Sequence, residues 1–261
     1  MTADELTQLT TAALDTLADA LDHGHSEALT ALLRAMSRFH RYSLHNTWLI
    51  AAQRSDATLV AGFHAWRAMR RFVRRGEQGI AILAPIVRRR KEEQDQDERA
   101  VVGFRAAYVF DVSQTDGEPL PEASQPTGVP GSSLMCIRTA IAARNITLEY
   151  ADGLGGALGL SSGGRIRVLT GLTPASEFMV LAHEFAHELL HHGAERPGSR
   201  DTRELEAEAV AFVVSAACGL EALAATVDYV QLYRGDRDAL ATSLERIQRT
   251  AATILRAMDG E

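Results

Sequence analysis

The stretch HEFAHELLHH, residues 183–192, places four histidines and two glutamates within ten residues. It contains two overlapping copies of the pattern His-Glu-x-x-His, one beginning at His183 and the other at His187. Histidines four residues apart lie about 40° apart around a helix, so both imidazoles reach the same ion. A catalytic zinc site needs three protein ligands and one open position, so a further ligand is expected from another element.

The helical wheel favours the first of the two copies. The apolar side chains of this helix share one face and comprise Phe178, Leu181, Phe185 and Leu189. His183, Glu184 and His187 lie away from that face, whereas the second copy would place the metal at the fraying end of the helix. We therefore predict His183 and His187 as metal ligands and Glu184 as the general base that takes a proton from the attacking water. His191 and His192 are expected to be surface residues at the helix end, without a catalytic role.

The next predicted helix, RELEAEAVAFVVSAACG over residues 203–219, offers the third ligand. Glu204 and Glu208 are four residues apart and share a face, and Glu206 lies on the opposite side, where we expect it to face solvent. Glu204 is assigned as the third ligand and Glu208 as a carboxylate that orients a ligand histidine. The reverse assignment of these two glutamates stays open. A helix with a solvated His/Glu face and no metal is the alternative interpretation.

A strongly basic block precedes this region. Residues 34–91 contain thirteen Lys and Arg but only two Asp and Glu, although the formal net charge of the chain is −7. Aromatic residues and arginines alternate along FHRYSLHNTWLIAAQ (39–53) and AGFHAWRAMRRFVRRGEQGIAILAP (61–85). Single-stranded nucleic acid is bound by this mixture, because cations follow the phosphates and aromatic faces stack on unpaired bases. The alternative is that the aromatic residues form a core and the arginines a solvated face.

The composition of residues 113–133, SQTDGEPLPEASQPTGVPGSS, indicates a linker. It separates two predicted α+β domains, 1–112 and 134–261, the second with a small sheet and the His-Glu-x-x-His helix. Periodicity predicts helices over 4–22, 26–38, 43–53, 64–69, 134–144, 175–192, 202–218, 221–233 and 237–258. Strands are predicted over 58–61, 79–87, 100–112, 146–150 and 164–171. The last of these is interpreted either as an edge strand beside the metal helix that pairs with extended substrate backbone, or as an ordinary strand of the sheet.

The sequence also suggests a cellular setting. No apolar run approaches the length of a membrane span, and the polar N-terminus is unlike a signal peptide. The two cysteines, Cys136 and Cys218, are far apart and are interpreted as reduced, buried residues. A cytoplasmic protein with no membrane partner is therefore expected, whereas its oligomeric state is left open.

Both blocks together resemble the ArdC-type antirestriction proteins. The first domain is similar to their single-stranded-DNA-binding domain over roughly 35–112, and the second to an accompanying zinc metallopeptidase domain, akin to ImmA/IrrE-type peptidases, over roughly 160–220. The matching positions are Tyr42-Ser43, Asn46, Gln53, Gly62, Trp66, the run Arg71–Ile80, Ala84-Pro85, Val109-Phe110-Asp111 and, in the second domain, His183, Glu184, His187 and the Glu204–Glu208 run. Together with the basic block, the resemblance implies that these residues contact DNA: Arg41, Tyr42, Asn46, Trp66, Arg70, Arg71, Arg74 and Arg75.

The resemblance implies a zinc-dependent protein that binds single-stranded DNA. It implies protection of incoming plasmid or phage DNA from restriction, or cleavage of a protein target. We expect a metallopeptidase whose partners are single-stranded DNA and a protein or peptide substrate. The alternative is a non-catalytic protein that shields single-stranded DNA and whose zinc site is structural or vestigial. A duplex-reading transcription factor is disfavoured, because the sequence has no clear helix-turn-helix signal.

Overall fold

The computed structural model describes residues 1–23, 27–90, 98–119, 130–192, 199–220 and 236–261. Its α-helices are α1 (Ala3–Asp22), α2 (Glu27–Arg38), α3 (Leu44–Gln53), α4 (Phe63–Ala68), α5 (Ser133–Ala143), α6 (Pro174–Leu190), α7 (Arg200–Ala217) and α8 (Arg237–Asp259). Its strands are β1 (Val60–Gly62), β2 (Arg71–Val73), β3 (Ile80–Arg90), β4 (Glu98–Asp111), β5 (Thr115–Gly117), β6 (Thr147–Ala151), β7 (Gly159–Ser161) and β8 (Arg165–Leu169). The predicted α+β class is confirmed. The helix predicted over 221–233 lies outside the described residues.

Contacts divide the chain into two compact units whose bounds differ from the predicted contiguous segments. The N-terminal unit comprises Met1–Asp15 and His45–Glu122, and the C-terminal unit comprises Thr16–Leu44 and Ala123–Glu261. Residues 16–44, which contain α2, therefore belong with the second half of the chain. The predicted functional division into 1–112 and 134–261 stays a prediction. Within the described residues, no helix is both long and apolar enough to cross a membrane.

The N-terminal unit is built on an antiparallel sheet in the order β1-β4-β3. Two side-chain amides from α3 satisfy the first part of the free edge of β3, because each amide donates to the C=O and accepts from the N–H of one β3 residue. Asn46 forms hydrogen bonds of 2.9 and 2.8 Å with the backbone of Leu83, and Gln53 forms bonds of 2.8 and 2.9 Å with that of Ala81. The side chain of Leu49 packs between them against Ala81. This arrangement fixes α3 on the edge of the sheet.

The start of the predicted linker is folded, which corrects the prediction for those residues. A 3₁₀ turn over Val112–Gln114 leads into β5, which pairs antiparallel with β2. Gln114 and Thr115 are buried, and the Gln114 side chain donates to the backbone oxygen of Gln78. A Pro- and Gly-rich composition marks a chain without helix propensity, but it does not prevent a three-residue strand from pairing. Residues 120–129 of the predicted linker lie outside the described residues.

The C-terminal unit combines a three-stranded sheet with packed helices. β8 is its central strand, parallel to β6 and antiparallel to β7. Ile166 and Val168 of β8 are fully buried, as are Phe178 and Phe185 of α6. α7 packs against α6 on one side and α8 on the other, so that both of its faces are covered. Burial of this apolar surface positions α6 and α7 side by side.

Local signals set where α6 and α7 begin. Thr173 caps α6 by accepting a hydrogen bond of 3.2 Å from the N–H of Ser176, and Pro174 occupies the first helical position. Ser199 caps α7 in the same way through the N–H of Thr202. Proline suits the first turn of a helix because its missing N–H would be unpaired there anyway. The two caps set the residues at which α6 and α7 begin.

Candidate metal centre

A cleft of about 730 Å³ in the C-terminal unit lies between β7, α6 and α7. Most of its polar residues come from the two helices, and its apolar rim comes partly from β7 and the residues before it. Among its lining residues are Leu158, Leu160, Val180, Ala211 and Phe212. A concave, mostly apolar site with a few convergent polar groups is typical of ligand-binding and active sites.

Three predicted ligands converge in this cleft. The Nε2 atoms of His183 and His187 are 3.1 Å apart, and the Oε2 atom of Glu204 lies 3.5 and 3.4 Å from them. Ligand atoms held about 2.0–2.1 Å from a tetrahedral ion are roughly 3.3–3.4 Å apart. The triangle of donor atoms therefore fits a small divalent cation, with one face left open toward the cleft. Within the described part of the chain, these three side chains form the group whose ligand atoms lie close enough together, all within 4.8 Å of one another, to hold a metal ion.

The electrostatics of the two histidines also suit a metal. Burial lowers the pKa of His183, and burial together with the neighbouring His183 lowers the pKa of His187 to about 4. Both imidazoles are consequently neutral near pH 7. A neutral imidazole presents a lone pair, which is the form that coordinates metals.

Glu184 lies in the same cleft and is largely buried. Burial and the negative charges of Glu204 and Glu188 raise the pKa of Glu184 to about 7, against a hydrogen bond from the backbone N–H of Ser161 that favours the carboxylate. A carboxyl group with a pKa near neutrality exchanges protons readily at that pH, as a general base must. A cation bound nearby would favour its ionised form.

Gly159 on β7 makes the close approach of the strand to Glu184 possible. A Cβ atom at this position would lie 2.6 Å from Val180 Cγ1 and 2.7 Å from both Cγ and Oε1 of Glu184. We expect Gly159→Ala to displace the Glu184 carboxylate and to lower the free energy of unfolding by roughly 1–3 kcal/mol, the usual cost of overpacking. Urea denaturation of the purified variant measures this loss.

Gly153→Ala is the matched control, because a Cβ atom there meets nothing within 4 Å. It is expected to unfold at the same urea concentration as the unmodified chain, within error. Equal stability of the Gly159→Ala and Gly153→Ala proteins would show that β7 moves away from Glu184 freely, contrary to the close packing described.

The second copy of the pattern has a different task. Glu188 accepts hydrogen bonds from the Ser161 hydroxyl and from the backbone N–H groups of Gly163 and Gly164, at 2.7, 2.9 and 2.6 Å. These bonds tie the β7–β8 turn to α6 and lower the pKa of Glu188, although burial acts against them. The Ser161 hydroxyl also lies 2.9 Å from Nε2 of His192. Glu188 thus anchors the strand that carries Gly159.

Two predictions about side chains near the site are wrong. Glu206 does not face solvent but is fully buried, with its carboxylate bound by Arg246 of α8. His191 is not a surface residue either, since it is buried between His187 and Glu206. The helical wheel correctly placed Glu206 opposite Glu204, but α8 covers that side of α7. Glu208 lines the cleft, and its predicted orienting role stays a prediction.

The predicted edge strand is also corrected. Residues 164–171 contain β8, which is the central strand of its sheet and has neighbours on both sides. The strand that borders the cleft is β7, three residues long, which the sequence did not reveal because so short a run has no detectable period. Its outer edge, opposite β8, lies beside Glu184.

The predicted DNA contacts fall into several environments. Trp66 is fully buried and donates its ring N–H to the backbone oxygen of Phe110, so it belongs to the core rather than to a stacking surface. Asn46 uses both atoms of its amide on β3, as described above. Arg41 forms ion pairs with Asp259 and Glu261, and Tyr42 is half-buried; both belong to the C-terminal unit.

The four arginines of the RRFVRR region differ in exposure. Arg71 donates to the backbone oxygens of Thr115 and Glu118, so it holds β2 against β5. Arg74 donates to Ser113 and pairs with Glu77 in the same part of the unit. Arg70 has a side chain 76% exposed, paired at 3.2 Å with the exposed Glu118. Arg75 is also exposed.

Several aromatic rings of the N-terminal unit are exposed; two of them, Phe63 and Phe72, lie in the predicted block of aromatic residues and arginines, and the other two were not predicted as contacts. These rings are Phe63, Phe72, Phe104 and Tyr108. Phe104 and Tyr108 are four residues apart on β4 and therefore lie on one face of the sheet. Their even spacing predicts a shared face of a strand, but it could not distinguish an exposed face from a buried one.

Comparison with known proteins finds a family similarity for the N-terminal part of the chain. Residues 2–110 match the family model of the N-terminal domain of anti-restriction factor ArdC. A crystal structure of the antirestriction ArdC protein from plasmid R388 in its metal-free form aligns at 19% identity and a TM-score of 0.49, over 84% of each chain. The Mn(II)-bound structure of that protein aligns at 19% identity and a TM-score of 0.44, over 83% of this chain and 87% of that one. Among curated proteins, none matches the chain significantly in sequence. Residues 2–110 therefore resemble the N-terminal domain of the ArdC antirestriction proteins.

Proposed function

We propose that this protein is an ArdC-type, zinc-dependent metallopeptidase that binds single-stranded DNA. The observation that carries the proposal is the convergence of His183, His187 and Glu204 around a space of metal size, with Glu184 in the same cleft. A purely structural zinc site is closed by four ligands and needs no general base. Three ligands and an adjacent carboxylate favour catalysis.

The three ligand side chains would hold the metal. Two imidazoles and one carboxylate are a common ligand set of catalytic zinc, and Mn(II) is present in one solved ArdC protein, so both ions deserve testing. A divalent ion bound here would supply Lewis-acid chemistry, polarising the scissile carbonyl and activating water.

The chain's own residues would supply the remaining steps. Glu184 would accept the proton of the attacking water and pass it to the leaving amine. The outer edge of β7 would pair with the backbone of an extended peptide, and the apolar rim of the cleft would hold its side chains. The shape of the cleft is thus suited to a protein or peptide substrate.

DNA binding is proposed for the N-terminal unit. The exposed Arg70 and Arg75 would contact phosphates, and the exposed rings of Phe104 and Tyr108 would stack on bases. DNA bound there would bring the peptidase to incoming DNA, where it would act on a protein target or protect the strand from restriction.

We expect the double variant Arg70→Ala/Arg75→Ala to bind single-stranded DNA more weakly, with a flatter dependence of affinity on salt. Each phosphate contact that is lost lowers the slope of log K against log salt concentration by about 0.7. Fluorescence anisotropy with a labelled oligonucleotide across a salt series measures the slope, and unlabelled duplex tests the preference for single strands.

Arg165→Ala/Arg249→Ala is the matched control, since it removes two exposed arginines of the C-terminal unit. It should leave the slope unchanged. If the control flattened the slope and the Arg70/Arg75 variant did not, the phosphate contacts would lie in the C-terminal unit instead.

A further inference from the structure

A buried charged group sits behind the candidate metal centre without a part in the proposed chemistry. Glu206 of α7 has a side chain with 0% exposure, and Arg246 of α8 donates to both of its carboxylate oxygens. A guanidinium is always charged and only donates, so its contacts with both oxygens pair it with Glu206 in the carboxylate form, an unusual state for a fully buried side chain.

Hydrogen bonds connect this carboxylate to a metal ligand. Oε2 of Glu206 lies 3.2 Å from Nε2 of His191, and Nδ1 of His191 lies 2.8 Å from Nδ1 of His187. The remaining ring nitrogen of His187, Nε2, is the one that faces His183 and Glu204. Hydrogen bonds thus run without a gap from Arg246 to the candidate metal centre.

The carboxylate of Glu206, at one end of this series of hydrogen bonds, determines which ring nitrogens of His191 and His187 carry protons. An ionised carboxylate only accepts, so Nε2 of His191 must carry a proton and donate it. With that proton on Nε2, Nδ1 of His191 is the acceptor, and it accepts from a protonated Nδ1 of His187 2.8 Å away. Nε2 of His187 is left with a lone pair that points at the metal centre. Metal-binding histidines generally have the second ring nitrogen held in this way.

We propose that Glu206, held by Arg246, acts through His191 as a positioning group that fixes the tautomer and ring orientation of His187 for metal binding. The inference rests on the metal site proposed above and deepens it. It also explains the second His-Glu-x-x-His copy, in which Glu188 anchors β7 and His191 supports the ligand His187.

A role in stability alone would not require this arrangement. Buried ion pairs are often no more stabilising than apolar residues of similar volume, because removing the charges from water is costly. Apolar side chains would therefore fill the same space between α6, α7 and α8 at no greater cost. They would leave the tautomer of His187 undetermined.

Three variants of the full-length chain separate the two roles. His191→Phe keeps an aromatic ring but removes both hydrogen bonds, and we expect it to weaken binding of Zn²⁺ and of Mn²⁺ about 10–100-fold. His191→Asn places an amide where the Nδ1 atom was, so it should recover most of the affinity. Glu206→Gln should weaken binding less than His191→Phe does. Competition with a chromophoric chelator measures the affinities, and thermal unfolding of the metal-free proteins controls for loss of fold.

The tautomers are also observable in the unmodified metal-free chain. Long-range ¹H–¹⁵N correlation spectra should show His187 protonated on Nδ1 and His191 on Nε2. This readout holds even if a variant does not fold. His187 protonated on Nε2, or a folded His191→Phe protein with undiminished metal affinity, would overturn the inference. An unmodified chain that bound neither ion, yet showed the expected tautomers, would contradict the proposed metal centre and not the positioning chain.

Discussion

Glu184→Gln is expected to lower the rate of peptide cleavage by about 10²–10⁴-fold, the usual contribution of a positioned general base. The amide has nearly the shape of the carboxylate but cannot accept the proton of the attacking water. Metal affinity should stay within a few-fold of the unmodified chain, because Glu184 is not among the converging ligands. The loss should therefore appear in kcat at full metal occupancy.

Cleavage of a fluorogenic peptide library by the Zn²⁺-loaded protein provides the measurement. Glu245→Gln, an exposed glutamate on α8, is the matched control and should cleave at the unmodified rate. A Glu184→Gln protein that cleaved as fast as the control would remove Glu184 from the role of base. The same variant also separates the two antirestriction hypotheses, since undiminished protection of DNA from a restriction enzyme would favour a non-catalytic shield.

His187→Ala is expected to weaken zinc binding by more than about 100-fold. Loss of a residue that hydrogen-bonds to a ligand and orients it typically costs about 10–100-fold in metal affinity, and loss of the ligand itself costs more. His187 also forms a hydrogen bond with His191, so its removal takes a ligand from the metal and a hydrogen-bond partner from His191. The metal-free variant should keep its fold, because the core of α6 is formed by other residues.

Chelator competition is again the measurement, with His192→Ala as the control. His192 lies on the same helix end but contacts Ser161 and Glu188 rather than the ligands. We expect the control to bind zinc as the unmodified chain does. If His192→Ala lost zinc and His187→Ala kept it, the metal would be bound at the helix end by residues that neither copy of the pattern supplies as a pair.

The candidate centre was largely predictable because its information is local. Two histidines four residues apart share a helical face whatever the rest of the chain does. Glu204 was predictable because it lies four residues from Glu208 on the next helix, so the same rule places both on one face. The partners of Glu206 could not, since Arg246 is 40 residues away in sequence and only the packing of α8 on α7 brings it close.

The fold of the N-terminal unit shows the same limit. Long runs such as 79–87 and 100–112 were predicted as strands and form β3 and β4, while β2 and β5 are three residues each and have no period to detect. Trp66 was expected on a DNA-binding surface because aromatic residues and arginines alternate around it. Its burial depends on β4, more than 40 residues later, whose backbone accepts its N–H.

The most direct test of the proposed centre is a crystal structure of the Zn²⁺-loaded protein with anomalous scattering measured at the zinc edge. The account predicts one strong peak about 2.0–2.2 Å from Nε2 of His183, Nε2 of His187 and a carboxylate oxygen of Glu204. A peak bound instead by His191 or His192, or no peak in the cleft at saturating zinc, would contradict it.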